Sequence, residues 1–351
     1  MSVETTEVAP GYRISRILKG GWQLAGGHGP VDRRRAIADM AAFADAGITA
    51  FDCADIYAGA EEMIGAFLSH RRATHGAAAT SKIKVHTKFV PDLDALATLD
   101  RAHVQRVVDR SLERLGVERI DLMQLHWWDY AVPRYVETAH WLRDLQQAGK
   151  IDRLGGTNFD GAHAAEVIDG GVDLAAMQVQ YSLLDRRPDH DLAPLCARAG
   201  MSLLCYGTLA GGFLSERWLG AAEPASPLAN RSLTKYKLII DEIGGWPLFQ
   251  RLLRALKAIA DRHRVGIANV ATRYVLDRPH VAGAIVGARY ADRLAGTLRT
   301  FAFSLDPRDL ALIDDVLPGG GPAGAVYALE RDRAGRHGAI MKYDLNRVDS
   351  P

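Results

Sequence analysis

The stretch Phe51–Tyr57, which reads FDCADIY, places two carboxylates and a phenol directly after an apolar run. Carboxyl and phenol groups can hold and transfer protons, so Asp52, Asp55 and Tyr57 fit an active site. The same residue types also fit a solvated turn, where aspartate commonly caps the next helix. The choice between the two depends on what stands at comparable positions elsewhere in the chain.

Other polar residues recur at the ends of the apolar segments that follow. Lys88 lies late in KVHTKFV, His126 comes near the end of RIDLMQLHW, and Thr157 and Asn158 come near the end of IDRLGGTNF. Each has an ordinary structural interpretation, such as a lysine that reaches solvent, a hydrogen-bonded core histidine or a helix cap. Their succession on consecutive segments is hard to explain by chance, so we predict that they share one site.

Apolar segments of strand type alternate with amphipathic helices along the chain. The strand candidates span residues 14–22, 47–55, 84–90, 119–127, 151–159, 175–182, 201–209 and 281–288. Glycine follows several helices, where it can supply the left-handed C-cap of a helix-to-strand turn. The alternation predicts an α/β fold, a closed (β/α)8 TIM barrel with its site at the C-terminal ends of the strands. An open doubly wound sheet is the alternative.

The chain is longer than a barrel needs. Its 351 residues compare with roughly 250 for a bare barrel, and the surplus falls in two places. Residues 215–247, after the seventh predicted strand, form an extended loop that could cover the C-terminal face. Residues 318–351 form a charged C-terminal extension. We predict a single domain over residues 1–351, with the barrel at about 10–317.

Charge and cysteine content argue against several classes of protein. The 43 Lys and Arg residues nearly balance 42 Asp and Glu residues, which argues against nucleic acid or an anionic membrane as the main partner. The three cysteines show neither disulfide nor metal-site spacing. No signal peptide is visible, and no run approaches the ~20 apolar residues that span a bilayer. We expect a cytoplasmic, soluble protein without a metal site.

The motifs FDCADIY, VHTKF, LMQLHWWD, LGGTNF, MQVQYS and YGTLAGGFL together resemble the aldo-keto reductase superfamily. They occur in the family's order, over most of residues 10–317. The extension and parts of the loop 215–245 look like those of a less-studied branch that also occurs in plant plastids. The resemblance implies a TIM barrel that reversibly reduces an aldehyde or a ketone with a nicotinamide cofactor.

The family's catalytic residues correspond, by this resemblance, to Asp52, Tyr57, Lys88 and His126. Tyr57 would donate the proton that the carbonyl oxygen needs. Lys88 would lower the pKa of the phenol from about 10, and Asp52 would keep Lys88 charged. His126 would orient the carbonyl oxygen or share its developing charge. Asp55, two residues beyond Asp52, is expected to be structural.

The resemblance also implies where a cofactor binds, without the Rossmann glycine fingerprint. The expected cofactor-binding residues are Thr157, Asn158, Gln178, Tyr206, Gly207, Leu209, Gly211, Gly287, Arg289 and Arg293. The first three would bond the carboxamide, and Tyr206 would stack on the nicotinamide. Arg293 would pair with a 2′-phosphate, which favours NADPH over NADH. Gly296 and Thr297 depart from the family pattern, which commonly has an acidic residue and an asparagine there.

Trp22 and Trp127, followed by Trp128, are candidates for the walls of a substrate pocket. Aromatic walls suit an apolar or ring-bearing carbonyl compound, or a sugar face. Two other functions remain open. The resemblance also allows a cofactor-sensing regulatory partner of another protein, with slow or no turnover. The strand-end Lys88 alone would also fit a barrel aldolase or isomerase that forms a Schiff base, which needs no Arg293.

Overall fold

The computed structural model of the protein describes residues 2–319 and 321–346. An antiparallel hairpin, β1 (Thr5–Ala9) and β2 (Tyr12–Ser15), precedes a closed barrel of parallel strands. The barrel strands are β3 (Ile17–Gly20), β4 (Ala50–Asp52), β5 (Lys84–Phe89), β6 (Ile120–His126), β7 (Ile151–Thr157), β8 (Ala176–Gln180), β9 (Ser202–Tyr206) and β10 (Val281–Gly287). Each strand pairs with the next in the chain, and β10 closes against β3. The predicted TIM barrel is confirmed, and the open-sheet alternative is wrong.

The hairpin covers the N-terminal end of the barrel. Tyr12 is buried there, and its hydroxyl group forms a hydrogen bond of 2.9 Å with Nε2 of His86. The barrel interior at this end is filled by Leu18, Ala50, Leu122, Ala176 and Leu204. Because this end is packed with side chains, a ligand has to approach the polar strand ends from the opposite face.

Helices surround the barrel and cover parts of its C-terminal face. They are α1 (Arg33–Asp45), α2 (Ala60–His75), α3 (Ala77–Thr80), α4 (Arg101–Leu115), α5 (Tyr135–Gln147), α6 (Gly161–Asp169), α7 (Arg187–Asp191), α8 (Ala193–Ala199), α9 (Arg231–Glu242), α10 (Gly245–His263), α11 (Ile267–Leu276), α12 (Leu294–Leu298), α13 (Pro307–Asp314) and α14 (Ala328–Arg331). Short 3₁₀ turns occupy Trp22–Leu24, Leu93–Ala95, Ala210–Gly212, Glu216–Trp218, Ala291–Arg293, Arg299–Phe301 and Gly338–Ile340. In the described part of the chain, no helix combines the length and the apolar character that a membrane span requires.

Helix α4 shows how local sequence sets the ends and the buried face of these helices. The side chain of Asp100 caps its N-terminus by accepting a hydrogen bond of 2.6 Å from the backbone N–H of His103. Gly116 ends the helix with a φ of 62°, in the left-handed region that glycine adopts without strain. The buried face consists of Val104, Val107, Val108, Ser111 and Leu115. Spacings of three and four residues bring these side chains onto one side, which packs on the barrel.

The long loop predicted after the seventh strand, residues 215–247, contains α9, which lies across the C-terminal face of the barrel. The side chain of Asn230 caps α9 by accepting a hydrogen bond of 3.0 Å from the backbone N–H of Leu233. Tyr236 of α9 packs against Gly207 and Gly211, whose φ angles are +74° and +65°. A Cβ atom at Gly207 would lie 2.1 Å from the hydroxyl oxygen of Tyr236. Both glycines therefore permit α9 to approach the loop that follows β9.

The C-terminal extension docks on the barrel through a buried ionic cluster. The carboxylate of Glu330 lies 3.2 Å from Nζ of Lys235 and 3.4 Å from Nη1 of Arg187, and its side chain is fully buried. Arg187 is also held at 2.6 Å by Asp185, in the loop after β8. Because Lys235 belongs to α9, the cluster joins the extension to the helix that covers the barrel mouth. Loss of one partner would leave a buried charge without compensation.

We predict that the stability of the fold depends on the ionised form of Glu330. Burial acts to raise the pKa of Glu330, but the charges of Lys235 and Arg187 outweigh it and lower the pKa from 4.5 to about 2. A lowered folded-state pKa gives stability that is present above pH 4.5 and is lost as the pH falls towards 2. Glu330→Gln should therefore lower the free energy of unfolding by about 3 kcal/mol at neutral pH, with the difference shrinking below pH 4.5.

Urea unfolding of both proteins between neutral pH and pH 3 measures this difference. Glu118→Gln, at an exposed position, is the matched control and should leave stability unchanged at each pH. A loss for Glu330→Gln that stays constant over this range would contradict the assignment of the lowered pKa to Glu330.

Candidate active site

The predicted catalytic side chains meet at the C-terminal end of the barrel. Asp52 ends β4, Lys88 lies near the end of β5 and His126 ends β6, so neighbouring strands supply them. Nζ of Lys88 lies 2.8 Å from Oδ2 of Asp52, and it also donates a hydrogen bond of 2.6 Å to the carbonyl oxygen of Cys53. Tyr57 follows in the loop after β4, with its ring centroid 5.1 Å from Nζ of Lys88. The four predicted residues thus border one cavity.

Two glutamine side chains support the carboxylate of Asp52. Nε2 of Gln178 donates to Oδ1 of Asp52 at 2.6 Å and to Oε1 of Gln124 at 3.1 Å. Nε2 of Gln124 lies 3.4 Å from the same carboxylate oxygen. We did not predict Gln124, although the alternation of β6 places it on the same side of the strand as His126. The amide of Gln178 therefore holds Asp52 and leaves Oε1 available to a ligand.

Burial controls the protonation of Tyr57. It raises the pKa of the phenol above its usual value, and it outweighs the charge of Lys88, which acts in the opposite direction. The expected net lowering of this pKa is therefore not what the structure shows. For Lys88 burial acts downward, but the charge of Asp52 raises the pKa of the ammonium group overall. Tyr57 and Lys88 are both protonated at neutral pH, which suits a proton donor and does not suit a Schiff-base amine.

His126 is a neutral histidine whose tautomer follows from its partner. Burial, with a contribution from the charge of Arg331, lowers the pKa of His126 to about 3. Nδ1 lies 3.1 Å from the carbonyl oxygen of Thr157, which can only accept, so Nδ1 carries the hydrogen. Nε2 is buried and has no hydrogen-bond partner in the described residues. In this form Nε2 can accept a hydrogen bond from a hydroxyl group but cannot donate one to a carbonyl oxygen.

The aromatic residues around His126 differ from the prediction. Trp127 is fully buried away from the cavity, and its Nε1 donates to the carbonyl oxygens of Asp129 and Val132, each at 3.0 Å. The prediction that Trp127 lines the pocket is therefore wrong. Trp128 takes that position, with its ring centroid 4.1 Å from that of His126.

Trp22 lies where it was predicted, at the cavity and beside the proposed proton donor. Its ring centroid is 5.0 Å from that of Tyr57 in an edge-to-face arrangement. Tyr327 of the C-terminal extension adds a further aromatic wall, 5.8 Å from the His126 ring. From the sequence, Tyr327 and Tyr343 are aromatic residues of the extension that could cover the barrel mouth, with a docked structural tail as the simpler interpretation.

The cavity has a volume of about 410 Å³ and continues from the predicted catalytic residues along the barrel mouth. It is bordered by nine of the ten predicted cofactor-binding residues, namely Thr157, Asn158, Gln178, Tyr206, Gly207, Leu209, Gly211, Gly287 and Arg293. Arg289 is the exception, because its Nη1 donates a hydrogen bond of 3.2 Å to the carbonyl oxygen of Pro30. It thereby ties the loop after β3 to the loop after β10.

Cations without a carboxylate partner lie along this cavity. Arg231 and Arg293 border it, and within the described residues neither has a carboxylate within 4.0 Å. Burial lowers the pKa of Arg231, whose guanidinium lies 5.6 Å from the centroid of the Trp22 ring. Unpaired guanidinium groups in a groove attract phosphate oxygens, so this cavity suits a ligand that carries phosphate groups. Sequence reasoning missed Arg231, which lies in the long segment after β9.

Comparison with known proteins decides the family. A model of the Aldo/keto reductase family matches residues 16–318 of the chain. The chain belongs to the aldo/keto reductase family. The aldo-keto reductase YhdN of Bacillus subtilis is similar to it, with 27% identity over 324 residues, which cover 90% of this chain and 94% of the relative. The NADH-specific methylglyoxal reductase of Escherichia coli is 25% identical over 325 residues, which cover 86% and 94% of the two chains.

Solved structures agree with this membership. The glycerol dehydrogenase AKR11B4 of Gluconobacter oxydans superposes with a TM-score of 0.75 at 25% identity, and the match covers 89% of this chain and 94% of that one. This aldo-keto reductase is therefore an NAD(P)-dependent oxidoreductase of carbonyl compounds. Because one relative is NADH-specific, membership of the family leaves the choice between NADPH and NADH to the residues of this chain.

We predict that turnover at saturating cofactor and substrate is independent of pH between about pH 5 and 9. The pKa of His126 is about 3, so its ring does not titrate in this range. The pKa values of Tyr57 and Lys88 are raised above their usual values, so both groups keep their protons throughout this range. The pH dependence of kcat for reduction tests this. A fall in kcat centred between pH 6 and 7 would show that His126 titrates normally.

Proposed function

We propose that the protein reduces an aldehyde or a ketone to the alcohol with NADPH, and that Tyr57 is the proton donor. The proposal rests on one observation above the others, the buried ion pair of Lys88 and Asp52 beside Tyr57. The same cavity contains Nε2 of His126, which has no hydrogen-bond partner in the described residues. This arrangement provides a protonated phenol next to a fixed positive charge. Such a pair can protonate an oxygen atom and stabilise the phenolate that remains.

The side chains of this site have separate tasks in the proposed reaction. NADPH, when bound, would supply the hydride. As negative charge develops on the substrate oxygen, Tyr57 transfers its proton to that oxygen and becomes a phenolate. The ammonium group of Lys88 stabilises the phenolate, and Asp52 holds Lys88 in place. His126 packs its ring beside the reacting oxygen, and its Nε2 can accept a hydrogen bond from the hydroxyl group of the alcohol.

The amide groups of two residues would hold the carboxamide of the nicotinamide. The hydroxyl group of Tyr206 donates to Oδ1 of Asn158 at 2.8 Å, which leaves Nδ2 of Asn158 for the carboxamide oxygen. Gln178 uses its Nε2 for Asp52 and Gln124, which leaves Oε1 for the carboxamide N–H. A donor and an acceptor on adjacent strands match the two ends of a primary amide, and they would fix which face of the ring points to the substrate.

The substrate would be an apolar or ring-bearing carbonyl compound. Aromatic rings of Trp22, Trp128 and Tyr327 surround the oxygen-binding groups, and Met341 and Leu345 of the extension border the same cavity. Burying an apolar or aromatic group among these side chains favours binding at about 25 cal/mol per Å² of apolar area. Substrate selection thus involves the C-terminal extension as well as the barrel.

The first prediction from this proposal is that Tyr57→Phe lowers kcat for reduction by at least about a hundredfold, because the proton donor is lost. The dissociation constant for NADPH should change by less than about twofold, since the phenol hydroxyl contacts the reacting oxygen rather than the cofactor phosphates. Stopped-flow reduction of a panel of aldehydes and a fluorescence titration with NADPH give the two values. Turnover close to that of the wild type would rule out Tyr57 as the donor.

The second prediction concerns the cofactor. Arg293→Ala should weaken NADPH by about ten- to a hundredfold, because a charge-assisted contact to the 2′-phosphate is lost, and it should weaken NADH by much less. The matched control is Arg299→Ala, an exposed arginine that does not border the cavity. Equal losses for the two cofactors would remove Arg293 from the phosphate site.

These experiments also test the regulatory alternative. Tight cofactor binding by the wild type with no turnover of any aldehyde or ketone would favour a cofactor-sensing partner. Turnover that depends on Tyr57 would exclude it.

A further inference from the structure

We propose that Arg331, in the C-terminal extension, is a positioning residue for the nicotinamide site. The inference rests on the proposed function, because it concerns how Asn158 is held where the carboxamide would bind. Arg331 lies outside residues 16–318, the part of the chain that matches the family. It touches none of the reacting groups, and it acts through the backbone of the strand ends.

Arg331 bridges the ends of two neighbouring strands. Its Nη2 donates a hydrogen bond of 2.7 Å to the carbonyl oxygen of Asn158 and one of 3.1 Å to the carbonyl oxygen of Trp127. Trp127 directly follows His126 at the end of β6, and Asn158 directly follows Thr157 at the end of β7. One guanidinium nitrogen therefore fixes the chain where it leaves the strands that supply the histidine and the carboxamide-binding amide.

The backbone of Asn158 adopts an uncommon conformation, and several contacts hold it. Its φ of 61° lies in the left-handed region, which asparagine adopts more readily than most residues other than glycine. Its backbone N–H donates to the carbonyl oxygen of Gln178 at 2.8 Å, and its Oδ1 accepts from the hydroxyl group of Tyr206 at 2.8 Å. With the carbonyl oxygen held by Arg331, Nδ2 is the remaining polar group of Asn158. The surrounding contacts thus determine where Nδ2 points.

The extension is built to hold Arg331 in this position. Its guanidinium carbon lies 4.1 Å from the centroid of the Tyr130 ring and 5.3 Å from that of Tyr327. The preceding residue, Glu330, is fixed in the buried ionic cluster with Lys235 and Arg187. Contacts with two aromatic rings and an anchored neighbour help to place the guanidinium at the strand ends, and a lysine lacks the planar group that makes these contacts.

The test compares a ligand that contains nicotinamide with one that lacks it. Arg331→Met keeps an apolar side chain at this position and removes the guanidinium with its two hydrogen bonds and its contact with the Tyr130 ring. We expect it to weaken NADPH by about tenfold or more, and to change the affinity for 2′,5′-ADP, which carries the adenosine end alone, by less than about twofold. Isothermal titration calorimetry with both ligands gives the affinities, and single-turnover reduction gives the rate of the chemical step, which should fall as well.

Two further variants make the result decisive. Arg333→Met, two residues away, is the matched control, because Arg333 is exposed and lies 3.6 Å from Asp129 at the surface. It should leave both affinities unchanged. Arg331→Lys keeps the charge and can reach one carbonyl oxygen, so it should recover part of the affinity for NADPH. If Arg331→Met does not fold, Arg331→Lys carries the same comparison with a smaller effect.

The outcomes separate this inference from the proposed function. Equal weakening of NADPH and 2′,5′-ADP, with a lower Tm, would show that Arg331 is merely structural, and unchanged affinity for NADPH would also overturn the inference. If the wild type prefers NADH, the same comparison is made between NADH and ADP-ribose, so the positioning role is still tested. If the wild type binds no nicotinamide cofactor, the proposed function fails first, and the inference fails with it.

Discussion

The buried ion pair between Lys88 and Asp52 is the interaction on which the rest of the site depends. Two charges removed from water are tolerated only when their remaining hydrogen-bonding capacity is satisfied. The carbonyl oxygen of Cys53 and the amides of Gln124 and Gln178 meet this need. Residues from four strands are therefore required to satisfy this one ion pair. A closed barrel is suited to this, because it brings the ends of strands that are distant in sequence around one axis.

A second buried ionic centre organises the mouth of the barrel. Glu330 joins the C-terminal extension to Lys235 of α9 and to Arg187 after β8, so two segments that are additions to a bare barrel depend on each other. The walls that they provide, Tyr327 above all, border the same cavity as the proposed catalytic residues. The parts of the chain that differ most from a minimal barrel are therefore the ones that close the substrate side.

The strands and the residues at their ends could be predicted from the sequence, because period and polarity are local signals. The alternation of side chains along β6 also explains why Trp128, and not Trp127, borders the cavity. If His126 faces the interior, then Trp127 faces outward and Trp128 returns to the cavity, as the structure shows. The position of Tyr327 depends on contacts between distant parts of the chain. The hydrogen bond from Arg289 to Pro30, which keeps Arg289 out of the cavity lining, depends on a neighbouring loop. Neither contact can be recognised from the local sequence.

Burial acts on Tyr57 and His126 in opposite directions for the same reason. In a poorly solvated cavity the charged form of each group is disfavoured, so the pKa of the phenol rises and the pKa of the imidazole falls. Both are neutral at physiological pH, and the imidazole carries its hydrogen on Nδ1, where Thr157 holds it. The proposed mechanism therefore uses the proton on Tyr57, because the proton on His126 is already donated to Thr157. In that proposal the fixed charge of Lys88 stabilises the phenolate that remains.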